Sequence, residues 1–286
     1  LVLAIYVLTF AVGFPANIFI FATLVGTARR RISPSDILLL NLMASDLLLL
    51  LLLPFKMVEA AAGMTWPLPA VLCPVASYCF YSSIYLSSLF LAALSIERYL
   101  SVVFPLQYKD RSKRGRAMAA SVVLWLLACS HCSIVFVAEY HGSGNRSPAP
   151  GVPNGSDAAG LHKCYDDFSE DQLNFVLPLR LELFLVLFLL PFAVTIFCYI
   201  NFVRALLARP NIPLEKKRRA VGLAVATMVN FGVFFAPYNV SHVVGFVEKK
   251  SPDWRVYALL LATLNAALDP VVVYFSSTAV QRATAR

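Results

Sequence analysis

The sequence predicts an all-α protein folded as a bundle of seven membrane-spanning helices, with the N-terminus outside the cell and the C-terminus in the cytoplasm. Three observations predict it. First, 59% of the 286 residues are hydrophobic and only 14% are charged, where a soluble chain carries about 25% charged residues. The mean hydropathy is accordingly high, at +0.72. Second, the apolar residues fall into seven runs, roughly 1–27, 35–62, 70–104, 116–139, 173–207, 215–247 and 253–276. Each is long enough for a hydrocarbon core that needs about 20 residues of helix. Third, the basic residues between the runs cluster on alternate connections, as the positive-inside tendency requires.

The first run, Leu1 to Gly26, is too long and too weakly flanked for a cleaved signal and reads as the first span. The chain starts at Leu1 and stops at Arg286 soon after the last span, so native sequence is expected beyond both ends. Pro15, Pro54, Pro191, Pro237 and Pro270 lie inside the runs. They would break helices in water but are tolerated where neighbouring helices satisfy the freed backbone groups. The cytoplasmic connections hold Arg29 to Arg31, Lys109 to Arg116, and Lys216 to Arg219. The opposite side is richer in acids, among them Glu59, Asp157, Asp166, Glu170 and Asp171. The net charge of +8 is therefore a matter of topology and does not indicate nucleic-acid binding. The chain reads as a single domain, 1–286.

The long polar segment 140–172 forms the main outer loop. Its Asn145-Arg146-Ser147 and Asn154-Gly155-Ser156 sequons are glycan acceptors by pattern. Pro148 follows the first directly, which favours Asn154. Cys79, Cys129, Cys132 and Cys198 lie within spans and read as packing residues. Cys73, at the head of the third span, and Cys164, in the long loop, both lie on the oxidising side, where a disulfide is expected to form.

Polar residues inside the spans are more specific. Asn17, Asp46, Glu97-Arg98-Tyr99, Trp125, Pro191 with Tyr199, Pro237 and Asp269-Pro270 supply landmarks in every helix. Jointly they resemble the signature of rhodopsin-like, G-protein-coupled receptors along the whole chain. Three departures stand out. Glu97 replaces the usual aspartate. Phe234-Phe235-Ala236-Pro237 keeps a hinge proline without the usual tryptophan. Tyr274 comes one place later after Pro270 than the family pattern has it, which puts its customary role in doubt.

A narrower resemblance is to the free fatty acid receptors, best to their short-chain branch. It is carried by Asp46-Leu47 through Pro54-Phe55-Lys56, Ser95-Ile96-Glu97-Arg98-Tyr99, Arg180-Leu181-Glu182, Pro237-Tyr238-Asn239-Val240-Ser241-His242 and Leu268-Asp269-Pro270. Residues 181–199 and 218–230 look closest to the member usually counted second, and 86–101 equally to its close paralogue. The resemblance implies activation by acetate, propionate or butyrate, coupling to heterotrimeric G proteins of inhibitory or Gq type, arrestin as a further partner, and no required cofactor.

Charges inside spans cost roughly 2.5–3.5 kcal/mol each on insertion scales and point to function. Arg180 lies about 16 Å along its helix from Pro191, and Arg255 about 22 Å from Pro270, at 1.5 Å per residue. Both fall near the outer end, where two planar guanidinium forks suit a small carboxylate. Taken alone, Arg180 could equally be a structural partner of Glu182 or of an outer-loop acid, and Arg255, beside Trp254, could snorkel to the interface. The resemblance favours the carboxylate role for both and adds His131, Tyr238 and His242. Tyr81, Tyr85, Glu182, Asn239 and Asp166 are weaker pocket candidates. Asp166, two residues past Cys164, is expected to be held over the pocket as a lid that competes with ligand.

Glu97 and Arg98, with Tyr99 and Tyr199, would form a cytoplasmic switch opening a groove for the G protein. Nearby basic loops would meet anionic lipid. Asp46, Ser87, Asn265 and Asp269 offer oxygen ligands for a modulating sodium ion, or a water network without an ion.

Two other classes compete. A transporter or channel needs a continuous polar path, and the mid-span polar set is too small for one. An enzyme needs a nucleophile-base array, a metal-spaced cluster or a phosphate loop. None is present, and His131, His141, His162 and His242 are scattered. The closest rival is a receptor of the same fold for another small anion, a hydroxycarboxylic acid or a longer fatty acid.

Overall fold

The computed structural model describes residues 1–105, 113–140, 164–165, 168 and 170–286. Among these residues all regular structure is helical. Seven helices are long and apolar enough to cross a membrane: α1 (Val2–Arg30), α2 (Pro34–Ala61), α3 (Leu72–Val103), α4 (Lys113–Ala138), α5 (Glu170–Leu207), α6 (Leu214–Glu248) and α7 (Arg255–Ser276). A short helix not anticipated from the sequence, α8 (Thr278–Thr284), follows. Ser277 bends the chain into an extended conformation and caps α8 through Val280 N.

Local chemistry sets these boundaries. Ser33 accepts from Asp36 N, and the Asp36 carboxylate accepts from Ser33 N, a reciprocal capping box with Pro34 at the first helical position. These pairings satisfy backbone donors that a helix start leaves open. Arg29 and Arg30 end α1, where cations offset the negative end of the helix dipole.

α3 is the axle of the bundle. In its most apolar window 83% of residues are buried, against 28% in α1 and in α4. Outer helices instead turn Leu8, Val12, Val122, Val123, Leu126 and Phe197 outward, the surface expected of helices that face lipid. Two sequence landmarks bolt helices together. Asn17 Nδ2 donates to Ala266 O at 2.9 Å, and Trp125 Nε1 donates to Asn41 Oδ1 at 2.9 Å.

The span prolines leave a signature. π-Helical turns at Leu185–Leu189 and Asn230–Phe235 precede Pro191 and Pro237. Proline removes one N–H and crowds the preceding turn, and a widened turn accommodates both effects. In α7 the regular helix is interrupted at Leu264, before Pro270.

The Cys73–Cys164 disulfide forms, with a Cα–Cα distance of 5.7 Å. It ties the head of α3 to the segment before α5, and marks one end of the bundle. Arg98 marks the other.

Candidate functional site

At the disulfide end, six of the predicted pocket residues converge. α5 supplies Arg180, α7 supplies Arg255, and α6 supplies Tyr238 and His242, while α3 contributes Tyr85, with Tyr81 beside it. Helical spacing explains the pairs: Tyr238 and His242, like Tyr81 and Tyr85, are one turn apart and share a face.

Both guanidinium groups are deeply buried, Arg180 at 2% and Arg255 at 6% exposure. Two of the alternatives from the sequence do not hold, and a pairing of Arg180 with Asp166 or another acid of the long loop lies outside the described residues. Arg255 does not snorkel out, and Glu182 pairs with His131 rather than with Arg180. Aromatic faces surround the cations. Arg180 Cζ lies 5.4 Å from the centres of the Tyr165 and Phe168 rings. Arg255 Cζ lies 5.5 Å from those of Tyr81 and Tyr238, and 5.8 Å from Tyr165. Ring quadrupoles attract a desolvated cation by about 2 kcal/mol or more, which is still small beside the hydration a buried charge gives up.

The hydrogen bonds that these cations make to Tyr81, Tyr238 and Ser251 are long. Arg255 Nη2 donates to Tyr238 Oη at 3.3 Å and to Tyr81 Oη at 3.4 Å, and Arg180 Nη1 to Ser251 Oγ at 3.4 Å. Among the described residues no acceptor meets Arg180 Nε or Nη2, and no carboxylate forms an ion pair with Arg180. By contrast, Tyr85 Oη and His242 Nε2 lie 2.7 Å apart, and the His242 ring stands edge-on to Tyr238. The chamber is nearly closed, at about 10 Å3, roughly the room one water requires. Any larger guest must push its walls apart.

Sequence reasoning missed Tyr165, the roof of this chamber. Its backbone is left-handed, with φ of 56°, and it follows Cys164 directly, so the disulfide holds its ring between the arginines. Burial pushes its phenol above the ordinary tyrosine range, and the charges of Arg180 and Arg255 pull it back. The Cys73–Cys164 pairing was the signal that could have found it. Lys56 and Glu59, paired at 3.5 Å, also line an adjoining space of about 30 Å3 that shares Tyr81, Tyr165 and Arg255 with the main chamber.

Other candidates sit elsewhere. His131 and Glu182 face a separate cavity between α4 and α5, because the α4 face carrying His131 looks towards Glu182 and away from the arginines. Asn239 is turned from Tyr238 by one helical step, and its Nδ2 donates to Phe235 O at 2.9 Å. Asp166, Asn145 and Asn154 lie outside the described residues.

Mid-bundle, the predicted oxygen cluster comes together. Ser87 Oγ donates to Asp46 Oδ1 at 2.7 Å. Asp269 accepts from Asn230 Nδ2 at 2.9 Å and from Asn265 Nδ2 at 3.4 Å. Asp46 Oδ2 and Asn265 Oδ1 have no hydrogen-bond partner among the described residues. Asn230 is a member that sequence reasoning did not include.

At the Arg98 end, a cavity of about 480 Å3 is lined by Arg98, Phe202, Leu206, Leu223, Phe275 and Ser276 among others. Arg98 Nε lies 3.5 Å from Glu97 Oε2, close as charges but without a hydrogen bond. Arg98 Nη2 instead donates to Ser276 O at 2.8 Å and Ser276 Oγ at 2.6 Å. Tyr99 packs on Phe104 and Phe197, and Tyr199 is buried beside Phe202. Tyr274 is 41% exposed. The one-place shift seen in the sequence turns it outward by about 100°.

Residues 16–274 match the family described as "7 transmembrane receptor (rhodopsin family)". Free fatty acid receptor 3 of Homo sapiens is 51% identical over 280 residues, covering 98% of this chain and 78% of that protein. The chain belongs to the free fatty acid receptors of the rhodopsin family. Free fatty acid receptor 2 of Mus musculus is 48% identical over 284 residues, covering 99% of this receptor and 83% of its relative. Free fatty acid receptor 1 of Macaca fascicularis is 37% identical over 275 residues, covering 94% and 89%. Identities of 51% and 48% do not assign the receptor to either of these two relatives. This membership makes it a multi-pass protein of the plasma membrane and a receptor rather than an enzyme.

Proposed function

We propose that the receptor is activated by short-chain fatty acid carboxylates, with Arg180 and Arg255 clamping the carboxylate. The observation that carries this reading is the burial of both guanidinium groups against one small chamber, with no carboxylate among the described residues paired to Arg180. An anion placed there meets planar donors from two helices, with Tyr238 and His242 able to donate to it. Because any guest must push the chamber walls apart, acetate, propionate and butyrate demand less displacement than long chains. The names of the relatives support the ligand class.

In this reading the disulfide end faces outward, with glycans on Asn154 or Asn145, and Asp166 acts as a lid over the pocket. The Arg98 end faces the cytoplasm, where basic connections meet anionic lipid and a heterotrimeric G protein of inhibitory or Gq type. Arrestin would use the same face. Asp46, Ser87, Asn265 and Asp269 hold a sodium ion that stabilises the inactive receptor. Two buried carboxyl groups in one cluster need a proton or a cation between them, and hard cations prefer oxygen ligands.

The test is G-protein activation in cells by acetate, propionate, butyrate and laurate, with Arg180→Ala and Arg255→Ala matched for surface expression. Short acids should activate the unmodified receptor, and either alanine should abolish the response. A response to laurate or to a hydroxy acid alone would favour another small-anion receptor, and alanine variants that respond normally would refute the clamp.

A further inference from the structure

The second cavity at the disulfide end has chemistry unlike the arginine chamber. It holds about 240 Å3 between α4 and α5, with His131 and Glu182 at its polar pole and Ile134, Val137, Phe175 and Leu179 among its walls. Ile134 also lines the arginine chamber, so the two spaces share a wall residue.

The hydrogen bonds of His131 define what the polar pole accepts. Its Nδ1 lies 2.8 Å from Leu127 O. A carbonyl oxygen can only accept, so Nδ1 carries a proton and donates. On a neutral ring Nε2 is then an acceptor. Nε2 lies 2.8 Å from Glu182 Oε1, an acceptor when ionised. Two acceptors at this distance hold together only by sharing one additional proton. Glu182 is also 45% exposed on its side chain within a span, where a carboxylate needs a matched positive charge.

The geometry points to a binding site for a primary amine with a short apolar body, its ammonium replacing the shared proton. One N–H would donate to Glu182 and a second to His131 Nε2, and the positive charge would be matched by the carboxylate. The apolar walls set the length of the guest. Val137 lies six residues beyond His131 on α4, about 9 Å at 1.5 Å per residue, which suits a body of about six carbons. A carboxylate would meet the Glu182 charge instead and be repelled, so this site and the arginine chamber select opposite charges.

Binding of hexylamine to the purified receptor in phosphatidylcholine nanodiscs tests the site directly, by calorimetry and without any signalling readout. Hexylammonium should bind saturably. Hexyltrimethylammonium, which keeps the charge but has no N–H, and hexanol, which has no charge, should each bind at least about tenfold more weakly. Glu182→Gln should weaken hexylammonium at least about tenfold, as loss of a charge-assisted hydrogen bond requires. Leu179→Trp fills the cavity from its apolar wall while leaving His131 and Glu182 in the sequence; it should do the same, and it decides the matter if Glu182→Gln does not fold. Absence of saturable binding, equal binding by the quaternary analogue or by hexanol, or full binding by a folded variant would overturn the proposal.

Discussion

Arg98 on α3 is held by Ser276 on α7. Its Nη2 donates to both the carbonyl and the hydroxyl of Ser276, at 2.8 and 2.6 Å, shorter than its 3.5 Å approach to Glu97. The start of α6 reads Glu215, Lys216, Lys217, Arg218 and Arg219, and Glu215 is engaged with Arg219 at 2.6 Å. The Arg98 latch therefore runs to α7 through an uncharged acceptor pair.

Ser276→Ala removes one of the two contacts and leaves the carbonyl. A hydrogen bond to a charged group contributes roughly 1.5–3 kcal/mol when buried. Arg98 is partly exposed, and about 1 kcal/mol is a reasonable discounted figure, or about fivefold in the ratio of open to closed states. Ligand-free nucleotide exchange on a co-reconstituted G protein should rise by that order. An unchanged basal rate would mean that the hydroxyl does not contribute to the latch.

Gly222 on α6 is a contact point for α7. A Cβ there would stand 2.8 Å from Phe275 Cε1 and 2.9 Å from Cζ, closer than van der Waals contact permits. Gly222→Ala should lower receptor stability by about 1–3 kcal/mol through overpacking. Phe275→Leu in the same chain should restore much of the loss. Thermal unfolding in detergent, read on both single variants and the double variant, checks this. Additive losses would show that the ring is not the obstacle.

The disulfide positions the ring that faces Arg180 and Arg255 as well as stabilising the fold. Cys73→Ser with Cys164→Ser should cost about 2–4 kcal/mol of stability and release Tyr165 from its left-handed backbone. Tyr165→Ala keeps the bridge and removes only the ring facing Arg180 and Arg255. If the roof matters, propionate potency should fall at least about tenfold in Tyr165→Ala while the unfolding temperature changes little. Normal potency would confine the role of Tyr165 to packing.

The fold was legible in the sequence because a bilayer imposes about 20 apolar residues per helix, and this chain repeats that requirement seven times. The arginine chamber was largely legible too. Buried charge is rare enough that Arg180 and Arg255 declared themselves, and one-turn spacing put Tyr238 with His242. Rotation and register between distant helices were not legible. His131 and Glu182 are separated by 51 positions, and nothing in their local sequence says that they meet each other instead of the arginines. Tyr165 owes its place to a left-handed backbone, and α8 is a seven-residue helix without the long apolar run that marked the spans. Tyr274 is a partial case: the one-residue shift in the sequence put its customary role in doubt, and only the structure shows the ring turned outward.

The coupling between Tyr85 and His242 offers the sharpest test of how the chamber is wired. Their 2.7 Å hydrogen bond joins α3 to α6, and both residues are about 1% exposed. Neither polar atom can turn to bulk water when the other is lost, so deleting one partner leaves a buried orphan that costs about 1–3 kcal/mol. Tyr85→Phe removes only the hydroxyl, and His242→Phe removes the ring nitrogens at similar volume. Each single variant should therefore destabilise the ligand-free receptor, and the double variant should lose less than their sum, with a coupling of about 1 kcal/mol or more. The same cycle repeated with saturating propionate should show a smaller coupling if the carboxylate draws His242 towards itself. An identical coupling with and without propionate would place the Tyr85–His242 bond outside the ligand response and leave Arg180, Arg255 and Tyr238 to carry it.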